Sequence, residues 1–130
     1  MDPRRLEAIA HAHGIELIIQ FGSTVSGTTH AASDLDLAVL LGDAPESLAS
    51  QADLVSDIQA LVPGRDVDVA ILNHADPLFL KQVTDRGVLV FGSPGRFQEF
   101  KLYAFKRYQD HRRFFQMERE YVERAVSGRR

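Results

Sequence analysis

Two short motifs in this chain bring together residue types suited to a phosphorylated substrate. Gly22-Ser23 closes an apolar run, and after ten intervening residues comes Asp34-Leu35-Asp36. A second acidic pair, Asp66-Val67-Asp68, opens a later run of the same kind. Side chains two apart on a strand point to one face, so Asp34 and Asp36 converge while Leu35 and Leu37 turn inward. Asp68 can face the same place from a neighbouring strand. Carboxylates held close repel one another, and a divalent, oxygen-seeking ion such as Mg²⁺ removes that cost. Two such ions about 3.5–4 Å apart would clamp the attacking and leaving oxygens of an in-line phosphoryl displacement. On the other side, Gly22 lets backbone approach a polyphosphate, amides opening a helical turn favour anions, and the Ser23 hydroxyl adds a hydrogen bond. The combination suits a nucleoside triphosphate attacked at its α-phosphorus, a reaction done mainly by positioning and charge stabilisation.

Each piece alone says little. A Gly-Ser pair is commonly a turn, and Asp-x-Asp at a strand start is commonly a solvated edge. Joined, the pattern arises by chance in roughly two per thousand chains of this length, which favours the chemistry. Other signals fail their own tests. Gly22-x4-Gly27-Thr28-Thr29 has a threonine where a P-loop needs its lysine. His11, His13, His30, His74 and His111 show no metal-ligand spacing; only His30, between Ser23 and Asp34, is placed to touch a substrate. No nucleophile-elbow motif is present.

The elements that must position these residues follow from periodicity. A short helix with Leu6, Ile9, Ala10 and His13 on its inner side has Pro3 near its start and Gly14 as its stop. Ile15–Phe21 reads as a buried strand, and Ser23–Ser33 as a short helical turn and loop. Asp34–Leu41 alternates and then becomes wholly apolar, as does Arg65–Leu72; both read as strands with one wet end. Between them Pro45 opens a helix to about Val62, with Leu48, Leu54, Val55, Ile58 and Leu61 on its inner stripe and Pro63-Gly64 as its stop. Asp76-Pro77 starts another helix to Arg86, and Val88–Phe91 is a short fourth strand. Gly92-Ser93-Pro94-Gly95 is the clearest break, after which Arg96 to about Val126 reads as one helix. Its ~45 Å length exceeds what a compact body of this size can cover, so it kinks, wraps or projects. The order implies an α/β (α+β) fold, a short mixed sheet flanked by helices in one domain.

Length and composition agree. The 130 residues are 45% hydrophobic and 25% charged, an ordinary globular mix that excludes a disordered tail. There is no cysteine, hence no disulfide framework or thiolate zinc site. The N-terminus lacks the apolar core of a secretory signal and no run approaches ~18 apolar residues, so the expected location is cytoplasmic. The net charge of −3 conceals a split: residues 1–95 carry 5 basic and 13 acidic side chains, residues 96–130 carry 10 basic and 5 acidic. The second segment also holds 8 of the 11 aromatics. Phe97, Phe100, Tyr103 or Ala104, Tyr108, Phe115 and Val122 can line one core-facing stripe, while Lys101, Phe105, Lys106, Arg107, Arg112, Arg113 and Phe114 lie elsewhere. Aromatics and arginines together suit a protein interface; an RNA site is disfavoured by the acidic remainder.

With its spacing and strand context, Gly22-Ser23 followed by Asp34-Leu35-Asp36 resembles the signature of nucleotidyltransferases with the DNA polymerase β fold. The tracts FGSTVSGTTHAASDLDLAVLL and DVDVAILNHADPLFLKQVTDRGVLVF, with the aromatic-basic last helix, are similar to the minimal nucleotidyltransferases, specifically the MntA-type antitoxins of HEPN/MNT toxin–antitoxin pairs. The resemblance covers nearly the whole chain. It implies a nucleotidyltransferase core over 1–95 and, in the same domain, a helix over 96–130 that docks a partner, the contact falling in 96–126. It implies a Mg²⁺-dependent antitoxin that transfers AMP from ATP to a tyrosine of a HEPN ribonuclease toxin. Gly22 and Ser23 would hold the triphosphate, Asp34 and Asp36 both metals, and Asp68, rather than Asp66, would complete the metal shell and help deprotonate the acceptor. Many relatives carry an arginine directly after Gly-Ser, where this chain has Thr24. Arg107 and His111 are closer together than the Arg-x4–6-His of HEPN ribonucleases, so the chain does not resemble the toxin. A small hydroxylated molecule or an RNA end is the alternative acceptor, and non-catalytic occlusion of a partner is the alternative mechanism.

Overall fold

Asp2 accepts a hydrogen bond from the Arg4 amide at 3.0 Å and caps α1 (Pro3–His13), which Gly14 ends in the left-handed conformation. From there the computed structural model runs through β1 (Ile15–Phe21), β2 (Leu35–Leu41), α2 (Leu48–Ala60), β3 (Val67–Ile71), α3 (Pro77–Arg86), β4 (Val88–Phe91) and α4 (Pro94–Ser127). It describes residues 1–22, 34–43 and 47–127. The helical turn expected within Ser23–Ser33 and the start at Pro45 lie outside the described residues. Among the described residues, no helix is long and apolar enough to cross a membrane.

The four strands form one mixed sheet in the order β3-β2-β1-β4. β1 lies antiparallel to β2 and β4, and β2 is parallel to β3. Both faces of the sheet are covered, which is why the strands read as near-continuous apolar runs. One face packs Ile15, Ile18, Leu35, Leu37 and Val39 against Leu6 and Ala10 of α1 and Leu54 and Ile58 of α2. The other packs Leu17, Ile19, Ala38 and Leu40 against Leu80 and Val83 of α3 and Phe97, Phe100 and Ala104 of α4. A bulge at Glu16 switches the alternation: Ile15 pairs with Leu41 and Leu17 with Leu40, so Ile15 and Ile18 share a face.

Two helix starts differ from expectation, and each difference is a cap. α2 begins at Leu48 because the Ser47 side chain accepts from the Ser50 amide at 3.1 Å. The inner stripe of α2 is Leu54, Ile58 and Leu61; Leu48 is 82% exposed and Val55 37% exposed. Those two lie about 100° round the helix from the stripe. α4 begins at Pro94, inside the expected break: the Ser93 carbonyl accepts from Phe97 at 3.0 Å and its hydroxyl from Arg96 at 3.3 Å. Proline is tolerated at a first helical position, where no amide partner is required.

α4 projects. Phe97, Phe100 and Ala104 are buried and Tyr108 and His111 half-buried, but Phe115 and Val122 are 56% and 53% exposed. Those two are not core. Tyr103 is also exposed, so Ala104 is the stripe residue.

Candidate active site

β1 ends, and β2 and β3 begin, at one end of the sheet. Backbone pairing there sets Phe21 opposite Asp36 and Asp36 opposite Asp68. Residues paired this way point to the same face, and alternation assigns it: Leu35, Leu37 and Val67 belong to the α1/α2 side. Phe21, Asp36 and Asp68 thus form one row across three strands on the side covered by α3 and α4. Adjacent strands stand about 4.8 Å apart, so the two carboxylates start from neighbouring positions. Asp34 shares the parity of Asp36 one step outward and is exposed.

The electrostatics follow from that row. Asp36 is half-buried, and its carboxyl is held above the usual carboxylate range. Removal of water by burial is the largest cause, followed by the negative charges of Asp68 and then Asp34. Asp66 is not among those charges. Its carbonyl accepts from the Leu35 amide at 2.9 Å, extending the β2–β3 pairing, and its side chain is exposed. Among the described residues no three carboxylate or imidazole groups are drawn together tightly enough to grip an ion as they stand. Like charges in a partly dry setting keep apart. The donor set nonetheless consists of hard oxygens, which is the chemistry a Mg²⁺ ion takes.

Gly22 presses on this row from β1. Its φ is 82°, and a Cβ there would stand 3.1 Å from the Asp36 Cγ and closer still to Oδ2. Only glycine combines that conformation with that approach. Ser23, the other expected phosphate ligand, lies outside the described residues, as does His30.

Gln59 of α2 holds the loop into β3. Its amide nitrogen donates to the Arg65 carbonyl at 2.6 Å and its oxygen accepts from the Val67 amide at 2.9 Å. At the far end of the sheet, Asn73 clamps both backbone groups of Leu41, accepting at 3.0 Å and donating at 2.8 Å. These two amide side chains fix where β3 sits against β2, and therefore where Asp68 stands. Neither was singled out by sequence reasoning, since an amide inside a helix or loop carries no spacing signal.

The remaining histidines are elsewhere. His13 Nε2 meets Asp57 Oδ2 at 2.7 Å, joining α1 to α2. His111 lies edge-on to Phe115 on α4, and His11 and His74 are exposed.

Comparison with known proteins gives consistent results. Residues 5–94 match the family described as Polymerase beta, Nucleotidyltransferase. Over 92 residues the chain is 33% identical to the protein adenylyltransferase MntA of Shewanella oneidensis, covering 71% of this chain and 63% of that protein. The match therefore spans less than two thirds of that relative's length. A crystal structure of a toxin–antitoxin with AMP-PNP aligns at a TM-score of 0.72 and 25% identity, covering 98% of this chain and 99% of that one. The tri-AMPylated Shewanella oneidensis HEPN toxin in complex with MNT antitoxin aligns at 0.65 and 22% identity, covering 95% and 94%. At that identity the likeness is one of fold.

Proposed function

Because this chain belongs to the polymerase β nucleotidyltransferase family, we propose that it is a Mg²⁺-dependent protein adenylyltransferase acting as an antitoxin. Its donor is ATP and its acceptor a tyrosine of a HEPN-type ribonuclease. The observation that carries this reading is the row of Asp36 and Asp68 with Gly22 pressed against Asp36. Support for a protein acceptor comes from the 33% identity to a protein adenylyltransferase.

In the reaction the tyrosine oxygen forms a bond to the α-phosphorus and the bond from that phosphorus to the bridging oxygen breaks, releasing pyrophosphate. Asp68, exposed at the edge of the row, accepts the phenolic proton. Asp34 and Asp36, with Asp68, would hold Mg²⁺, two ions in the full arrangement, which when bound supplies charge neutralisation at the phosphates and acidifies the acceptor hydroxyl. Gly22 turns its backbone towards the triphosphate and Ser23 donates its hydroxyl to it. The 1–95 segment acts as the transferase core, and residues 96–126 of α4 dock the ribonuclease; the exposed Phe114, Phe115, Tyr121 and Val122 support that assignment.

The test is transfer of label from α-phosphate-labelled ATP with Mg²⁺ into a co-expressed HEPN-type ribonuclease, with Asp34→Ala/Asp36→Ala as control. Label in the ribonuclease, reduced at least a hundredfold by the control, is the expected result. Label only in RNA or a small hydroxylated molecule overturns the protein acceptor. Protection from the ribonuclease by the double variant at matched expression overturns catalysis in favour of occlusion.

A further inference from the structure

The row at the sheet end has a third member that the transferase reading leaves without a task. Phe21 stands directly opposite Asp36 and on the same face. Phe79, in the first turn of α3, meets the Phe21 ring edge to face, with centroids 5.5 Å apart and planes at 84°. Their neighbours on this side of the sheet, Leu17, Ile19, Leu80 and Val83, are all at most 2% exposed. The two phenylalanines are only half-buried, at the margin of the buried cluster on that side of the sheet. Two aromatic rings left partly wet beside an acidic row contribute less to the fold than buried ones. They do offer the row an uncharged wall, one that neither attracts nor repels phosphate. What such a wall takes is a flat aromatic group.

Resting on the transferase reading, we infer that Phe79, backed by Phe21, is a substrate-binding residue: its ring receives a flat aromatic group of a substrate beside Asp36 and Asp68. Two groups in the proposed reaction have that chemistry, the adenine of the donor and the phenol of the acceptor. The experiment separates them. AMP transfer by the full chain is measured with ATP and acceptor protein varied in turn, for the wild type, Phe79→Leu and Phe79→Tyr. Leucine keeps an apolar contact with Phe21 and removes the ring. Phe79→Leu is expected to raise one KM roughly threefold to tenfold, with a smaller change in kcat and little change in Tm. Phe79→Tyr is expected to restore that KM, which a purely structural role does not require. A raised KM for ATP assigns the ring to adenine, and a raised KM for the acceptor assigns it to the phenol. A wild type that transfers AMP while Phe79→Leu matches it in both KM values overturns this inference alone. So does a Phe79→Leu protein whose only defect is a lowered Tm. A wild type that transfers no AMP overturns the transferase reading, and this one with it.

Discussion

Asp36 carries an electrostatic cost whose sign can be measured. Burial and two neighbouring carboxylates raise its pKa in the folded state. The folded protein therefore holds the Asp36 proton to higher pH than the unfolded chain does. Stability is lost as pH rises from the unfolded carboxylate range, near 4, through the raised folded value, and it stays lost above that. Asp36→Asn removes the charge, so its Tm should exceed that of the wild type at pH 7 in chelator. The difference should vanish near pH 4 and shrink when Mg²⁺ is added to the wild type. Thermal melts over pH with and without metal check this; equal melts at pH 7 would remove the electrostatic account. Gly22 gives the companion prediction. An alanine at φ 82° costs about 1–2 kcal/mol in backbone strain, and its Cβ displaces the Asp36 carboxylate. Gly22→Ala should therefore lose transfer activity far beyond what its Tm loss explains, measured as kcat/KM alongside a melt. The carboxylate spacing was legible in the sequence, because alternation and register are both properties of a strand pair. Phe79 was not, since its meeting with Phe21 depends on α3 crossing the sheet, which no local pattern encodes.

Caps decide where the elements begin, and the sequence showed those caps only where a proline or glycine did not overshadow them. Gly14 and Asp76 were readable, and α1 stops and α3 starts as expected, whereas the Asp2 cap beside Pro3 was not singled out. Ser47 and Ser93 lay beside Pro45 and Pro94, and the prolines drew the expected boundaries away from the serines that make the hydrogen bonds. Gln59 is the larger omission. From the last turn of α2, one amide side chain satisfies the Arg65 carbonyl and the Val67 amide on the approach to Asp68. Replacing it with leucine keeps the volume and removes both of these hydrogen bonds, at a cost of about 1–3 kcal/mol each where the groups are shielded from water. The expected result for Gln59→Leu is a destabilisation of at least about 1 kcal/mol in urea unfolding. A fall in kcat should accompany it under conditions where the protein remains folded, because the β3 start loses its tether. A variant that is destabilised but fully active would separate the loop from the position of Asp68.

At the scale of the whole molecule, the charge split and the long helix are one fact. The acidic residues belong mainly to the sheet and its first three helices, and the basic and aromatic ones to α4. Counting from Phe97, Phe100 and Ala104 by threes and fours reaches Tyr108, His111, Phe115, Val122 and Val126 on one continuing stripe. The body buries the first three, half-buries the next two, and leaves the last three 53–65% exposed. A 34-residue helix is about 51 Å long, and the sequence already required such a length to kink, wrap or project. That it projects follows from the size of the face available: α3 and one side of the sheet run out after His111. Helix propensity alone does not sustain an exposed apolar stripe, whose natural complement is another surface. In the proposed complex that surface is the ribonuclease, and the stripe makes its role separable from the fold. Phe115→Glu with Val122→Glu replaces two exposed side chains, so Tm should move by no more than about 3 °C. The two glutamates would then stand where the docked partner is expected to bury apolar area, and affinity for the ribonuclease should fall at least tenfold, about 1.4 kcal/mol. The checks are a melt of the isolated chain and a titration against the ribonuclease by calorimetry. Unchanged affinity with an unchanged Tm would assign docking to the acidic body and leave the stripe to another surface; a large loss of Tm would show that the overhang folds back on the core.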